Sequence, residues 1–334
     1  MRAAVLSRHD LDGLSVSQVA APTAEAGEVL VRVETVGVNQ LDLNVIAGVG
    51  PGAHAPLPRI LGIDPAGEIV AVGPGVDTGR IGQRIVVKPN IPCGTCSRCL
   101  SGDEADCPQQ TVVGVHRDGG AAEFVAVPAR NAIDRRGLDA AEATAVVHSA
   151  AIVINALRRA ALVAGERLLV TGAGGTLGRA AVAIGLARGA RVVAASRRPL
   201  APLGDERVVQ AADPAALRDA LAVDGGFDVV LDVSGHAPTL AAGIAALGWG
   251  GRAVFCAASV DPDLHIDARD FYLRRKTLAG VASARFDDVA EALALAATGA
   301  LPSLVGARYP LDDIATAYRE FPRKGDGKVV VDVR

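Results

Sequence analysis

Residues 167–200, RLLVTGAGGTLGRAAVAIGLARGARVVAASRRPL, constrain the fold more than any other stretch. An apolar run at 167–170 has the pattern of a strand buried on both faces. It ends in Gly172-Ala173-Gly174-Gly175-Thr176-Leu177-Gly178, and an Ala-rich segment of helical character follows to Gly189. A second apolar run at 191–195 completes a strand–turn–helix–strand unit. Gly172, Gly175 and Gly178 answer three demands at once: a sharp exit from the strand, close approach of a pyrophosphate to the main chain, and tight packing of helix on strand. Thr176, Leu177 and Gly178 close the turn before the helix, whose N-terminus offers unpaired N–H groups and a partial positive charge to an anion. A purely structural turn would share the glycines. The flanking strand and helix point instead to a dinucleotide site.

The end of the second strand bears on which dinucleotide. An NAD site places Asp or Glu about 20 residues beyond the glycines, against the ribose hydroxyls. Here, 18 residues after Gly178, the chain reads Ser196-Arg197-Arg198 with no carboxylate. A serine and two arginines suit a 2′-phosphate, so NADPH is expected. The alternative is a solvated basic loop.

A chain of 334 residues is long enough for two domains. Half of it is hydrophobic but only 3% aromatic, so both cores must be aliphatic. A net charge of -3 argues against a nucleic-acid partner. No stretch reaches about 18 uninterrupted apolar residues, so no membrane span is expected. The start, MRAAVLSRHD, lacks an apolar signal core, and a cytoplasmic location is expected.

Residues 1–130 read as all-β, with apolar or alternating runs at 3–6, 29–38, 69–72, 85–88 and 124–127 separated by Gly- and Pro-containing turns. Residues 138–163 read as one Ala-rich linker helix. Strands at 227–233 and 252–257 around a helix at 236–247 continue a parallel, doubly wound sheet, a Rossmann architecture of the α/β class. Its strands deliver Ser234-Gly235 and the stretch from Cys256 to Ser259 toward the cofactor. Helices at 286–298 and 311–321 and a closing strand at 328–333 return to the first domain. Arg269, Arg274, Arg275 and Lys276 read as a solvated basic face.

Cys93, Cys96, Cys99 and Cys107 fall within 15 residues of a Gly- and Pro-containing loop. Four thiolates so close suit tetrahedral zinc with no open position, which makes the ion structural. Two short disulfides or an iron–sulfur cluster would use the same ligands, and the expected reducing compartment argues against the disulfides. Cys256, in an apolar strand, reads as a plain core residue.

Taken together, these features resemble the medium-chain dehydrogenase/reductase superfamily over the whole chain. The stretches that carry the likeness are Val36-Gly37-Val38-Asn39, Gly62-Ile63-Asp64-Pro65-Ala66-Gly67, His116-Arg117-Asp118-Gly119-Gly120 and Gly327-Lys328-Val329-Val330. The resemblance implies a GroES-like catalytic domain at 1–130 with the zinc lobe at about 90–110, a Rossmann domain at 131–270, and a return segment at 271–334 that completes the catalytic domain. It also implies a homodimer joined through edge strands, for which 252–257 and 277–281 are candidates. The four-cysteine lobe is similar to that of the family's zinc alcohol dehydrogenases, whereas the GxxGxxG turn is similar to its quinone and enone reductases.

Departures from the family pattern bear on the chemistry. Zinc alcohol dehydrogenases carry a cysteine after Val-Gly-Val, a Gly-His-Glu motif, and a Cys or Asp on the linker helix. The corresponding positions here are Asn39, Gly62-Ile63-Asp64 and His148. An amide is a poor zinc ligand and Ile63 is none, so no catalytic zinc is expected. A tyrosine found in some relatives five residues after the asparagine is Asn44 here. His148 is then the candidate proton donor near neutral pH, or else a histidine satisfied by backbone. Asp64 either orients it or stabilises the turn before Pro65, and Asn39 faces the nicotinamide pocket by analogy.

The expected function is an NADPH-dependent reductase of a quinone or an α,β-unsaturated carbonyl, acting on a small molecule. A zinc-free carbonyl reductase or alcohol dehydrogenase using His148, and a non-catalytic NADPH-binding protein, are the alternatives.

Overall fold

The computed structural model describes residues 1–222, 225–258, 260–321 and 327–334. Ser259, expected near the cofactor, lies outside them. In chain order the first part runs β1 (Arg2–Leu6), β2 (Leu14–Gln18), β3 (Glu28–Gly37), α1 (Gln40–Ala47), β4 (Arg59–Ile60), β5 (Ala66–Val72), β6 (Arg84–Val87), β7 (Asn90–Ile91), α2 (Ser97–Leu100), β8 (Thr111–Val112), β9 (Phe124–Pro128), β10 (Ala132–Asp134) and α3 (Ala140–Val147). The middle part follows with α4 (Ser149–Arg159), β11 (Arg167–Thr171), α5 (Thr176–Ala187), β12 (Arg191–Ser196), β13 (Arg207–Gln210), α6 (Pro214–Ala220), β14 (Phe227–Asp232), α7 (Ala237–Ala245), β15 (Leu247–Phe255), α8 (Ala268–Leu273) and β16 (Thr277–Gly280). The chain ends with α9 (Phe286–Ala297), β17 (Val305–Pro310), α10 (Ile314–Glu320) and β18 (Lys328–Asp332).

Two units result. The first comprises Met1–His148, Ala284–Ala297 and Ser303–Arg334, and the second Ser149–Ser283 and Thr298–Pro302. They divide at His148–Ser149 and Ser283–Ala284 rather than near 130 and 270. The shift has a local cause: α3 packs on β3, β5 and β6 and so stays with the first unit. The expected single helix over 138–163 is broken at His148, which caps α3 before α4 begins. Ala140–Arg159 is long and apolar enough to cross a membrane by length and composition, yet most of it is buried inside the protein.

In the first unit, β10-β6-β5-β3-β18-β17 form one sheet, and β9 also pairs with β3. β3 shows why: Val29, Val31 and Val33 alternate inward, the period of a strand with one core-facing side. The closing strand β18 is slotted beside β3, with Val330 opposite Gly37. The first 130 residues are not all-β. The run after Asn39 forms α1, because Asn39 and Asp42 make a capping box that starts a helix.

In the second unit, six parallel strands run in the order β13-β12-β11-β14-β15-β16. Strand order reverses between β11 and β14, and ligands of such sheets lie beyond the carboxyl ends at that point. β15 is paired on both sides, so 252–257 offers no free edge, contrary to expectation. β16 is the outer strand on that side. Lys276 is buried rather than solvated: its Nζ donates to Ile244 O at 2.8 Å and to Asp270 Oδ2 at 2.6 Å.

Candidate functional site

The glycine turn follows β11 directly. Gly172 has φ +79°, and a Cβ there would lie 2.7 Å from Ser234 N. A Cβ on Gly178 would come within 2.2 Å of Gly172 O and 2.5 Å of Ala173 Cα, which is the tight helix–strand contact. The fold itself demands glycine at both. Gly175 is different. Its φ of -82° suits any residue, and only Gly172 O, at 3.8 Å, lies near a Cβ built there. Nothing among the described residues requires glycine at 175, and the open space in front of it is what a pyrophosphate needs. Among the described residues no side chain caps α5, so its first turn, from Thr176, keeps backbone donors available to an anion.

Ser196 closes β12, and its Oγ accepts the N–H of Arg198 at 3.1 Å. Arg197 and Arg198 are exposed. Ser234, beyond β14, is half-buried: its Oγ donates to Asp232 Oδ1 at 2.8 Å and accepts the N–H of His236 at 3.2 Å. Turn and strand ends together fit a nicotinamide dinucleotide. Cys256 is half-buried rather than a plain core residue, and burial pushes its thiol up.

The four clustered cysteines of the first unit are free thiols with ligand atoms within 4.8 Å of one another. The Sγ separations are 3.5 Å for Cys96–Cys99 and 3.9 Å for both Cys93–Cys99 and Cys96–Cys107. A disulfide needs about 2.05 Å, whereas zinc with four bonds of about 2.3 Å gives tetrahedral edges of about 3.8 Å. Backbone N–H groups already point at the sulfurs: Cys93 N at Cys107 and Gly94 N at Cys99, each at 3.3 Å, and Cys96 N at Cys93 at 3.4 Å. The N–H groups of Thr95 and Cys96 pull the Cys93 thiol down to about 6. These donors favour thiolates, and the set fits a structural zinc.

A second polar cluster sits where β3, the 61–65 loop and β18 meet. Lys328 Nζ donates to Asn39 Oδ1 at 2.5 Å and to Asp64 Oδ2 at 2.7 Å. Asn39 Nδ2 donates to Asp64 Oδ2 at 3.0 Å and to Gly37 O at 3.3 Å, while Gly37 N donates to Asp64 Oδ1 at 2.9 Å. Asp42 takes the N–H of Asn39 at 2.9 Å and that of Gly62 at 3.1 Å. Asn39, Asp42, Asp64 and Lys328 are all buried. Burial and the nearby Asp64 push Asp42 up to about 7, against the pull of its two N–H donors.

Asp64 therefore neither orients His148 nor merely stabilises a turn; it is the counter-ion of Lys328. Asn39 has spent both amide hydrogens inside the cluster, and Ile63 is wholly buried. These side chains do not fit a catalytic zinc: one is aliphatic, and the others are bound to an ammonium or to each other. His148 keeps part of its surface open, yet burial, followed by the charge of Lys328, lowers it to about 4, with Asp64 opposing. That lies below the titration near neutrality expected of a proton donor. At physiological pH the ring is a neutral imidazole.

Sequence reasoning missed Lys328 and Asp42. Both left a signal: a lysine directly before three consecutive valines at 329–331, and an acid three residues after Asn39 at capping-box spacing.

Comparison with known proteins identifies the family. Residues 25–136 match the alcohol dehydrogenase GroES-like domain, and residues 176–298 match the zinc-binding dehydrogenase family. The chain is 31% identical to L-galactonate-5-dehydrogenase of Escherichia coli K12, over 89% of this chain and 88% of that one. It is 32% identical to acryloyl-coenzyme A reductase of Metallosphaera sedula, over 99% of both chains. A cobalt- and zinc-bound thermostable alcohol dehydrogenase from Pyrobaculum aerophilum superimposes with a TM-score of 0.90 at 32% identity, over 99% of both chains. The protein belongs to the medium-chain dehydrogenase/reductase superfamily and is one of its oxidoreductases.

Proposed function

We propose that the protein is an NADPH-dependent reductase of quinones or of carbon–carbon double bonds conjugated to a carbonyl, working without a catalytic zinc. The observation that carries this reading is the buried network of Lys328, Asn39 and Asp64, which uses up the donors a catalytic metal would need. Carbonyl reduction without a Lewis acid lacks its usual polarising group, whereas conjugate reduction asks less of the site. Likeness to an acryloyl-coenzyme A reductase over nearly the whole chain supports an activated double bond.

A reduced nicotinamide supplies the hydride. Conjugate reduction by that hydride would place negative charge on the substrate's carbonyl oxygen. His148, neutral, offers that oxygen an N–H hydrogen bond rather than a mobile proton. Water protonates the α-carbon. Asn39 and Asp64 act at one remove, as positioning residues that hold Lys328. Ser196, Arg197 and Arg198 take the 2′-phosphate, Ser234 and the glycine turn take the rest of the dinucleotide, and two copies pair through β16.

A second reading, a zinc-free carbonyl reductase or alcohol dehydrogenase with His148 as donor, is favoured by the likeness to L-galactonate-5-dehydrogenase. A matched panel of enones, quinones, ketones and alcohols, assayed with NADPH and NADH alongside metal analysis, separates the two. The leading reading expects enone or quinone turnover with NADPH and one zinc per chain. Two zincs per chain, or alcohol turnover that mild chelation abolishes, would overturn it.

A further inference from the structure

Asp232 closes β14 and is 1% exposed. Its partner across the parallel pair is Thr171, the last residue of β11. Thr171 Oγ1 donates to Asp232 Oδ1 at 2.5 Å, and Ser234 Oγ donates to the same oxygen at 2.8 Å. Among the described residues the other oxygen, Oδ2, has no hydrogen-bond partner and is shielded from solvent. Burial pushes this carboxyl up, against the pull of the two hydroxyls and of the Ser234 and Gly235 N–H groups. An aliphatic residue would continue the buried run of Val229, Val230 and Leu231 without that cost, whereas a buried polar atom left unpaired costs on the order of 1–3 kcal/mol.

Position gives the carboxylate a use. Thr171 leads into Gly172, and Ser234 leads out of β14, so the two hydroxyls belong to the two segments that flank the reversal in strand order. Those segments already touch: a Cβ on Gly172 would lie 2.7 Å from Ser234 N and 2.9 Å from its Cα. Ser234 in turn accepts the N–H of His236 at 3.2 Å, and the Asp232 carbonyl accepts the N–H of Cys256 at 3.0 Å. One buried side chain thus ties the glycine turn to the start of the next loop.

We propose that Asp232 is a positioning residue for the dinucleotide, a clamp that sets the spacing between the glycine turn and the Ser234-Gly235 segment. The inference rests on the reading of the second unit as a nicotinamide dinucleotide site. It does not depend on the acceptor substrate.

The test titrates NADPH and NADH onto wild type, Asp232→Asn, Asp232→Val and Thr171→Val, reading dissociation constants from nicotinamide fluorescence and unfolding midpoints in parallel. Asparagine keeps the shape and one acceptor oxygen, so Asp232→Asn stays within about threefold, whereas Asp232→Val and Thr171→Val weaken binding about tenfold or more. KM for the acceptor stays unchanged. Should Asp232→Val not fold, the near-isosteric Thr171→Val carries the same comparison. Tight binding by Thr171→Val, or an asparagine variant as weak as the valine one, overturns the clamp. A fall in unfolding midpoint with no change in dissociation constant also overturns it, because the role is then structural only. Wild-type protein that binds neither nucleotide ends the dinucleotide reading and the clamp together; normal wild-type binding with unaffected variants ends the clamp alone.

Discussion

Lys328 Nζ lies 2.7 Å from Asp64 Oδ2, across 264 residues of sequence, with both side chains buried. Burying two charges is costly, and their attraction repays that cost only when the remaining polar atoms are also satisfied. Here they are: Asn39 Oδ1 takes a second bond from the ammonium, and Gly37 N and Asn39 Nδ2 complete the carboxylate. Removing one partner strands the other. Lys328→Met is therefore expected to cost about 3–5 kcal/mol, and a double variant that also replaces Asp64 by Leu to cost less than that single change. Urea unfolding of the three proteins checks it, and a Lys328→Met midpoint equal to wild type would remove the pair from the account of stability.

The glycines of the turn separate folding from binding. Gly175→Ala has an allowed backbone and open space around its new methyl, so the unfolding midpoint is expected to hold or rise slightly. The methyl stands where the pyrophosphate approaches, and cofactor binding is expected to weaken about tenfold or more. Gly172→Ala should do the reverse, since φ of +79° and a contact of 2.7 Å with Ser234 N strain the fold itself. Calorimetry with and without NADPH reads both. Equal losses of stability in the two variants would contradict this division.

Local patterns were legible in the chain. The turn and the cysteine lobe each lie within a few residues of sequence, where spacing and φ requirements leave a direct mark. Lys328 was not legible, because its role depends on β18 being slotted beside β3, a pairing between segments nearly 300 residues apart. The interior place of β15 was hidden for the same reason: apolar strands read alike whether an edge or a neighbour lies beside them. The break at His148 was concealed by an unbroken Ala-rich run, which has the composition of one helix although tertiary packing makes two.

Acid should expose His148. Its folded pKa of about 4 lies below the ordinary value of 6.5, so between those pH values the unfolded chain binds more protons. The stability it allows is fully present above pH 6.5 and declines as pH falls toward 4. Asp42, raised from 3.8 to about 7, has the opposite sign: its contribution is complete below pH 3.8 and is lost as pH rises through 7. Lys328 and Lys88 disfavour the imidazolium, and Asp64 opposes them. His148→Gln removes the contribution that falls on acidification between pH 6.5 and 4, so the variant is expected to lose less stability than wild type as pH drops across that window, with the opposing Asp42 contribution unchanged. Parallel curves for variant and wild type from pH 8 to pH 4 would rule out a buried, neutral ring.

The cysteine lobe reaches further into the first unit than its size suggests. Glu104 lies between Cys99 and Cys107, and its Oε1 accepts the N–H of Phe286, the first residue of α9, at 2.6 Å. That N–H is one of the donors a helix start leaves unpaired, and losing such a cap costs about 1 kcal/mol. Lys88 Nζ stands 4.9 Å from the Phe286 ring and donates to Asn90 O at 2.9 Å, which pins the base of the lobe to the same helix end. With zinc in place the thiolates would hold Glu104 in register; without it that anchor is lost and the loop is released. Chelation, or Cys107→Ser, is therefore expected to speed hydrogen exchange at the amides of the lobe and at Phe286, while amides of β11 and β14 keep their protection. Exchange at Phe286 that is the same with and without zinc would show that α9 holds its own end.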